Sequence, residues 1–112
     1  MRDGGYEGIL AIEYFIRGRE IYFNEMAPRP HNSGHYTIEG CTTNQFRELV
    51  RYLTGERLQT PQLVAPTVMK NILGQDLEAA RAVEQEGHPG VYVHIYGKPG
   101  SRPKRKRGQI TF

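Results

Sequence analysis

Two runs rich in β-branched and aromatic residues, Ile9 to Ile16 (ILAIEYFI) and Glu20 to Met26 (EIYFNEM), are separated only by Arg17-Gly18-Arg19. That pattern predicts a β-hairpin over Gly8 to Glu25, with a glycine available for positive φ in its short polar turn. Pro28 and Pro30 follow and end regular pairing. Asn32-Ser33-Gly34 extends the segment as an irregular loop.

A turn centred on Arg19 sets Glu13 opposite Glu25. Directly opposed residues have Cβ atoms about 5 Å apart. Two carboxylates at that separation repel, and a divalent cation between them reverses the sign. Mg²⁺ takes one or two carboxylates together with phosphate oxygens and waters, so the pair suits a metal–nucleotide site. Asn24, beside Glu25 on the opposite side of the strand, offers a polar contact to a nucleotide. The alternative is that both acids are solvated, because a one-residue slip in register would separate them.

His31 and His35 have the i, i+4 spacing of a helical zinc pair. Pro30 before them and Ser33-Gly34 between them argue against a helix, and so against zinc. A loop that presents Arg29 and His31 to a substrate fits better, since the prolines lower the entropic cost of ordering it. A polar surface turn is the plainer reading.

Beyond the loop, Thr43 or Asn44 can cap a helix whose apolar stripe is Phe46, Leu49, Val50 and Leu53, ending at Gly55. Glu56 to Pro66 is a connector and a plausible boundary. Val68 to Leu73 reads as a strand, Leu77 to Glu86 as a short helix capped by Asp76, and Val91 to Tyr96 as an alternating strand. GQITF, at 108–112, resembles the start of another strand. The order of elements is α+β.

Lys98, Arg102, Lys104, Arg105, Lys106 and Arg107 crowd into ten residues without an acid. Without those six, nine basic residues face twelve acidic ones, so a formal charge of +3 conceals an acidic body with one basic segment. The segment could be a nucleic-acid patch, although no aromatic residues interleave to stack bases. It could be a phosphate clamp through Lys98 and Arg102, or a solvated loop. The single cysteine, Cys41, forms no internal disulfide and suits a reducing cytoplasm. No run of about 18 apolar residues predicts a membrane span, and MRDGGYEG has no apolar h-region, so it is not expected to be a signal peptide.

Taken in order, AIEYF, NEMAPRPHNSGHYTIEGCTTNQF, VMKNILG and HIYGKPGSRPKRKRGQIT resemble the carboxy-terminal part of the N5-carboxyaminoimidazole ribonucleotide synthases. These are the ATP-grasp ligases of purine biosynthesis also called the ATPase subunit of phosphoribosylaminoimidazole carboxylase. The resemblance covers nearly the whole chain, and APRPHNSGH is its most specific block. The formate-dependent phosphoribosylglycinamide transformylases, the alternative within the superfamily, read closer to SPRPHDTG. A basic RNA-binding module is the alternative of a different class.

The resemblance implies that residues 1–58 form the last part of an ATP-grasp domain, a hairpin plus helix. Residues 59–112 would form a small, mostly antiparallel β domain with one short helix, similar to a rudimentary hybrid or barrel-sandwich. It implies ATP and Mg²⁺ as cofactors, with Glu13 and Glu25 as metal ligands and Asn24 and Glu25 at the nucleotide. Arg29 and His31 would be catalytic. With Asn32, they would approach the aminoimidazole ribonucleotide or the bicarbonate-derived intermediate, carboxyphosphate. Lys98 and Arg102 would hold the ribonucleotide 5′-phosphate, and Arg105 with Lys106, matching the basic pair after them, would also bind substrate. The family typically has Gly where Lys104 stands, a hydrophobe at Arg107 and His at Gln109. The family's amino-terminal lobe, Gly-rich phosphate loop and nucleotide-clamping lysine are not found before Glu13. The chain is therefore expected to be a fragment, inactive alone, of a cytoplasmic enzyme that the family suggests is a homodimer, with no nucleic-acid or membrane partner.

Overall fold

The computed structural model describes residues 5–99 and 102–112, and the chain divides into two compact units between Val64 and Ala65. The hairpin is the frame of the first. Strands β1 (Ala11–Arg17) and β2 (Glu20–Ala27) pair antiparallel through a two-residue turn, Gly18-Arg19. Gly18, at φ 60°, supplies the left-handed first position of a type II′ turn, whose twist matches that of the strands. Arg17 therefore faces Glu20 and Tyr14 faces Phe23, a register that by itself would put Asn24, not Glu25, opposite Glu13. The register shifts between Glu13 and Tyr14. This β-bulge leaves Asn24 unopposed and restores Glu13 to Glu25. The acids meet as expected, but through a tighter turn and a bulge rather than a turn centred on Arg19.

Opposed residues share a face of the hairpin. One face is wholly apolar: Ile12 with Met26, Tyr14 with Phe23, Ile16 with Ile21. The Tyr14 and Phe23 rings meet edge to face with centroids 6.4 Å apart. This face is exposed, Ile16 by 76% and Ile21 by 68%. The other face carries Glu13 and Glu25, Phe15 and Tyr22, and Arg17 and Glu20.

After Pro30 the chain is more regular than expected. Asn32–Gly34 makes a 3-10 turn, and a short helix α1 (Thr37–Gly40) follows. The turn forms because the His31 ring accepts the Ser33 N–H, a local cap that replaces an intrahelical partner. Helix α2 (Gln45–Thr54) starts where expected: the side-chain carbonyl oxygen of Asn44 accepts from the N–H groups of Phe46 and Arg47. It ends at Gly55. Part of the connector then returns to this unit. Thr42 N–H donates to Gln62 O, Val64 N–H donates to Gly40 O, and Cys41 bridges to Leu63.

The second unit is a three-stranded antiparallel sheet and a helix. Strands β3 (Met69–Leu73), β4 (Tyr92–Ile95) and β5 (Lys106–Thr111) lie in the order β3-β5-β4, and helix α3 (Leu77–Glu86) connects β3 to β4. Ile72 and Ala80 are its buried apolar residues among those described. The segment at 108–112, expected as the start of a strand, belongs to the central strand. Lys106 and Arg107, expected in the basic loop, lie within it. Arg107, Gln109 and Thr111 alternate along β5 and are all buried. The architecture is α+β. No helix among the described residues is long and apolar enough to cross a membrane.

Candidate functional site

The two acids of the hairpin do not face each other alone. His31 returns over them: its Nε2 lies 2.6 Å from Glu25 Oε1 and 3.9 Å from Glu13 Oε2. Glu13, Glu25 and His31 thus bring their donor atoms within 4.8 Å of one another. Nδ1 accepts the Ser33 N–H at 3.3 Å and lies 2.8 Å from Ser33 Oγ. The ring therefore carries its proton on Nε2 and donates it to Glu25. That hydrogen bond holds the Glu25 carboxyl below the usual carboxylate range. Partial desolvation opposes it, while a hydrogen bond with Glu13 and the charge of Arg29 add to it.

The donor set fits a hard cation. Two carboxylates from adjacent strands suit Mg²⁺. His31, whose Nε2 is engaged as a donor, acts in this arrangement as a tether for the acids and not as a third ligand. The zinc reading of His31 with His35 gains no support: His31 is in extended backbone, and the His35 ring packs against Phe46 at 5.5 Å.

One residue that sequence reasoning missed holds His31 in place. The Gln45 side chain grips its peptide from both ends: Oε1 accepts the His31 N–H and Nε2 donates to His31 O, both at 2.8 Å. A glutamine at a helix start, fourteen residues away, carries no periodic signal that would reveal this. Asn24 is exposed and freed from pairing by the bulge. Arg29 is exposed and folds back to donate to Pro30 O at 3.0 Å. Asn32 is half-buried at the head of the 3-10 turn, and its carbonyl accepts the His35 N–H.

The remaining candidates lie in the second unit. Lys98, Arg102 and Arg105 are exposed between the end of β4 and the start of β5, and Lys106 is exposed at the first position of β5. Lys98 Nζ sits 5.6 Å from the centroid of the Tyr96 ring. Arg102 is fixed through its backbone, which presses on the turn after β3: any side chain at Gly74 would collide with Arg102 O. The Gln75 side chain accepts the Lys104 N–H at 2.9 Å. Lys104 is the sole non-glycine residue with positive φ among those described, at 65°. Arg107 differs from its neighbours. It is buried and donates to the carbonyls of Lys98 and Pro99. The run of bases in the sequence is therefore not a continuous cationic surface.

Comparisons with known proteins agree with this division. The ATP-grasp domain family matches residues 1–46, and the phosphoribosylaminoimidazole carboxylase C-terminal domain family matches residues 67–112. The chain is 45% identical over 109 residues to an N5-carboxyaminoimidazole ribonucleotide synthase of Staphylococcus epidermidis, covering 96% of this chain and 29% of that one. The solved N5-carboxyaminoimidazole ribonucleotide synthetase of Thermus thermophilus superposes with a TM-score of 0.82 at 40% identity, over 100% of this chain and 30% of its own. The Aspergillus clavatus enzyme, solved with ADP and 5-aminoimidazole ribonucleotide, gives 0.79 at 34%, over 94% and 30%. The chain thus spans less than a third of the length of these relatives.

Proposed function

This chain belongs to the N5-carboxyaminoimidazole ribonucleotide synthase family, and from that premise we propose that it is the carboxy-terminal part of an ATP-dependent ligase. The whole enzyme would carboxylate 5-aminoimidazole ribonucleotide with bicarbonate by way of carboxyphosphate, in the cytoplasm and as a homodimer. These 112 residues, which cover 29% of the length of such a relative, are expected to show no turnover by themselves.

The observation that carries this reading is the opposition of Glu13 and Glu25 across a bulged hairpin, tethered by His31. Glu13 and Glu25 would hold Mg²⁺, which when bound offsets triphosphate charge and the charge developing on the transferred phosphoryl group. Asn24, released from the ladder, would reach the nucleotide beside Glu25. His31 keeps the acids oriented through its Nε2 proton. With Arg29 and Asn32, it would approach the bicarbonate-derived group and the amine that receives it. Arg29 supplies fixed positive charge for an anionic intermediate. Lys98, Arg102, Arg105 and Lys106 would neutralise the ribonucleotide 5′-phosphate.

Manganese, followed by water-proton relaxation on this chain, tests the metal assignment. Glu13→Gln and Glu25→Gln are each expected to weaken Mn²⁺ binding by at least the ~10-fold that even outer partners of a metal site cost. Equal Mn²⁺ affinity in the unaltered chain and the doubly substituted chain would refute the assignment. ATP- and bicarbonate-dependent product from this chain alone would refute its predicted inactivity.

A further inference from the structure

We propose that Arg107, with Gln109 beside it, is a positioning residue that sets Lys98 in place for an anionic phosphate ester. The proposal rests on the reading that Lys98 and Arg102 hold the ribonucleotide 5′-phosphate. Arg107 sits at a second bulge: Ile72 pairs with Gly108 and Leu73 with Lys106, so Arg107 has no partner on β3. Bulges re-aim side chains. Here the guanidinium turns beneath the basic loop, where Nη1 donates to Pro99 O at 3.2 Å and Nη2 to Lys98 O. The planar fork spans two successive carbonyls, which fixes the backbone of Lys98.

Gln109 lies two residues along the same side of β5 and is 1% exposed. Its Oε1 accepts the Tyr96 hydroxyl at 2.8 Å, and the Tyr96 ring lies 5.6 Å from Lys98 Nζ. Lys98 is therefore held through its backbone by Arg107 and through its ammonium by the ring that Gln109 anchors. Arg107 has a further property that points to an anion. It is 6% exposed, and among the described residues no carboxylate pairs with it. A buried cation without a counter-ion is costly, and an anion bound above Lys98 offsets that cost.

The test uses this chain, 5-aminoimidazole ribonucleotide and its dephosphorylated nucleoside, with calorimetric titration and amide NMR shifts. Arg107→Met removes fork and charge; Arg107→Lys keeps the charge but cannot span both carbonyls. Both are expected to weaken ribonucleotide binding about tenfold, the worth of one charge-assisted hydrogen bond. Nucleoside binding should stay unchanged, with shift changes confined to residues 96–99. Full ribonucleotide affinity in Arg107→Met overturns the proposal, and so does full rescue by Arg107→Lys, which would assign the effect to charge alone. If Lys98→Ala abolishes the preference for the phosphorylated ligand while both Arg107 variants keep it, the phosphate reading stands and the positioning role falls. An unaltered chain that binds ribonucleotide and nucleoside alike overturns both. Should Arg107→Met fail to fold, Arg107→Lys and Gln109→Leu decide the matter. Gln109→Leu is expected to weaken ribonucleotide binding alone, and an unchanged affinity in both variants overturns the proposal.

Discussion

Replacing Lys104 by glycine should stabilise the second unit. Lys104 is held at φ 65°, where a Cβ crowds the following carbonyl at a cost of about 1–2 kcal/mol. Glycine relieves that strain but loses about 0.5–1 kcal/mol in backbone entropy on folding. The lysine side chain is exposed, and the bond that fixes this residue, from its N–H to Gln75 Oε1, survives the substitution. The net gain is about 0.5–1 kcal/mol, or a two- to fivefold slowing of amide exchange governed by opening of the unit. Native-state hydrogen exchange at Gln109 and Ile110, in the central strand, measures it directly without assuming that both units unfold together. Lys104→Ala is the control, because it removes the charge and keeps the strain. Exchange in Lys104→Gly no slower than in Lys104→Ala would refute the argument. It would mean that the turn relaxes at no cost or that the lysine makes a contact of comparable worth.

Two further outcomes follow from close contacts. Gly74→Ala should displace the loop bearing Arg102, because the new Cβ meets Arg102 O. Thermal melts should show a loss of about 1–3 kcal/mol, the usual cost of overpacking, together with weaker binding of the ribonucleotide. The first unit should weaken in acid. Hydrogen bonds from Thr43 and then from the Gln59 N–H, with a smaller contribution from Arg51 and partial burial opposing, hold Glu48 below its ordinary value of 4.5. Its unfolded form takes up a proton first, so its stabilisation is present above pH 4.5 and lost as pH falls through the lower folded value. Unfolding midpoints measured against pH should show that slope, and Glu48→Gln should flatten it.

The hairpin, the caps of α2 and the strands β3 and β4 were legible because each has a local signal, whereas β5 was legible only from Gly108 onward. β-branched alternation marked the strands, Asn44 began a helix and Gly55 ended it. The Glu13–Glu25 pair was legible for a less direct reason. The turn is tighter than a centre at Arg19 implies, and the bulge at Asn24 compensates for it. Bulges and the 3-10 turn at Asn32 were hidden because they depend on tertiary partners. His31 caps its own turn with its peptide held by Gln45 and its ring by Glu25. Arg107 was read as one charge in a run of charges, since nothing in a single sequence separates an exposed arginine from one buried against carbonyls. The roles of Arg29, Asn32 and the basic loop rested on resemblance, because polar side chains on loops carry no periodicity.

The sheet order β3-β5-β4 has a consequence for synthesis. β3 and β4 do not pair with each other, so both wait for β5. Leu73 emerges from the ribosome 33 residues ahead of Lys106, an interval of about 2–7 s at ordinary elongation rates. During that time two strands present unsatisfied edges, joined only through α3. The nascent second unit is then a natural client for a chaperone, and slowing translation between residues 73 and 106 should lengthen that exposure and lower the soluble yield.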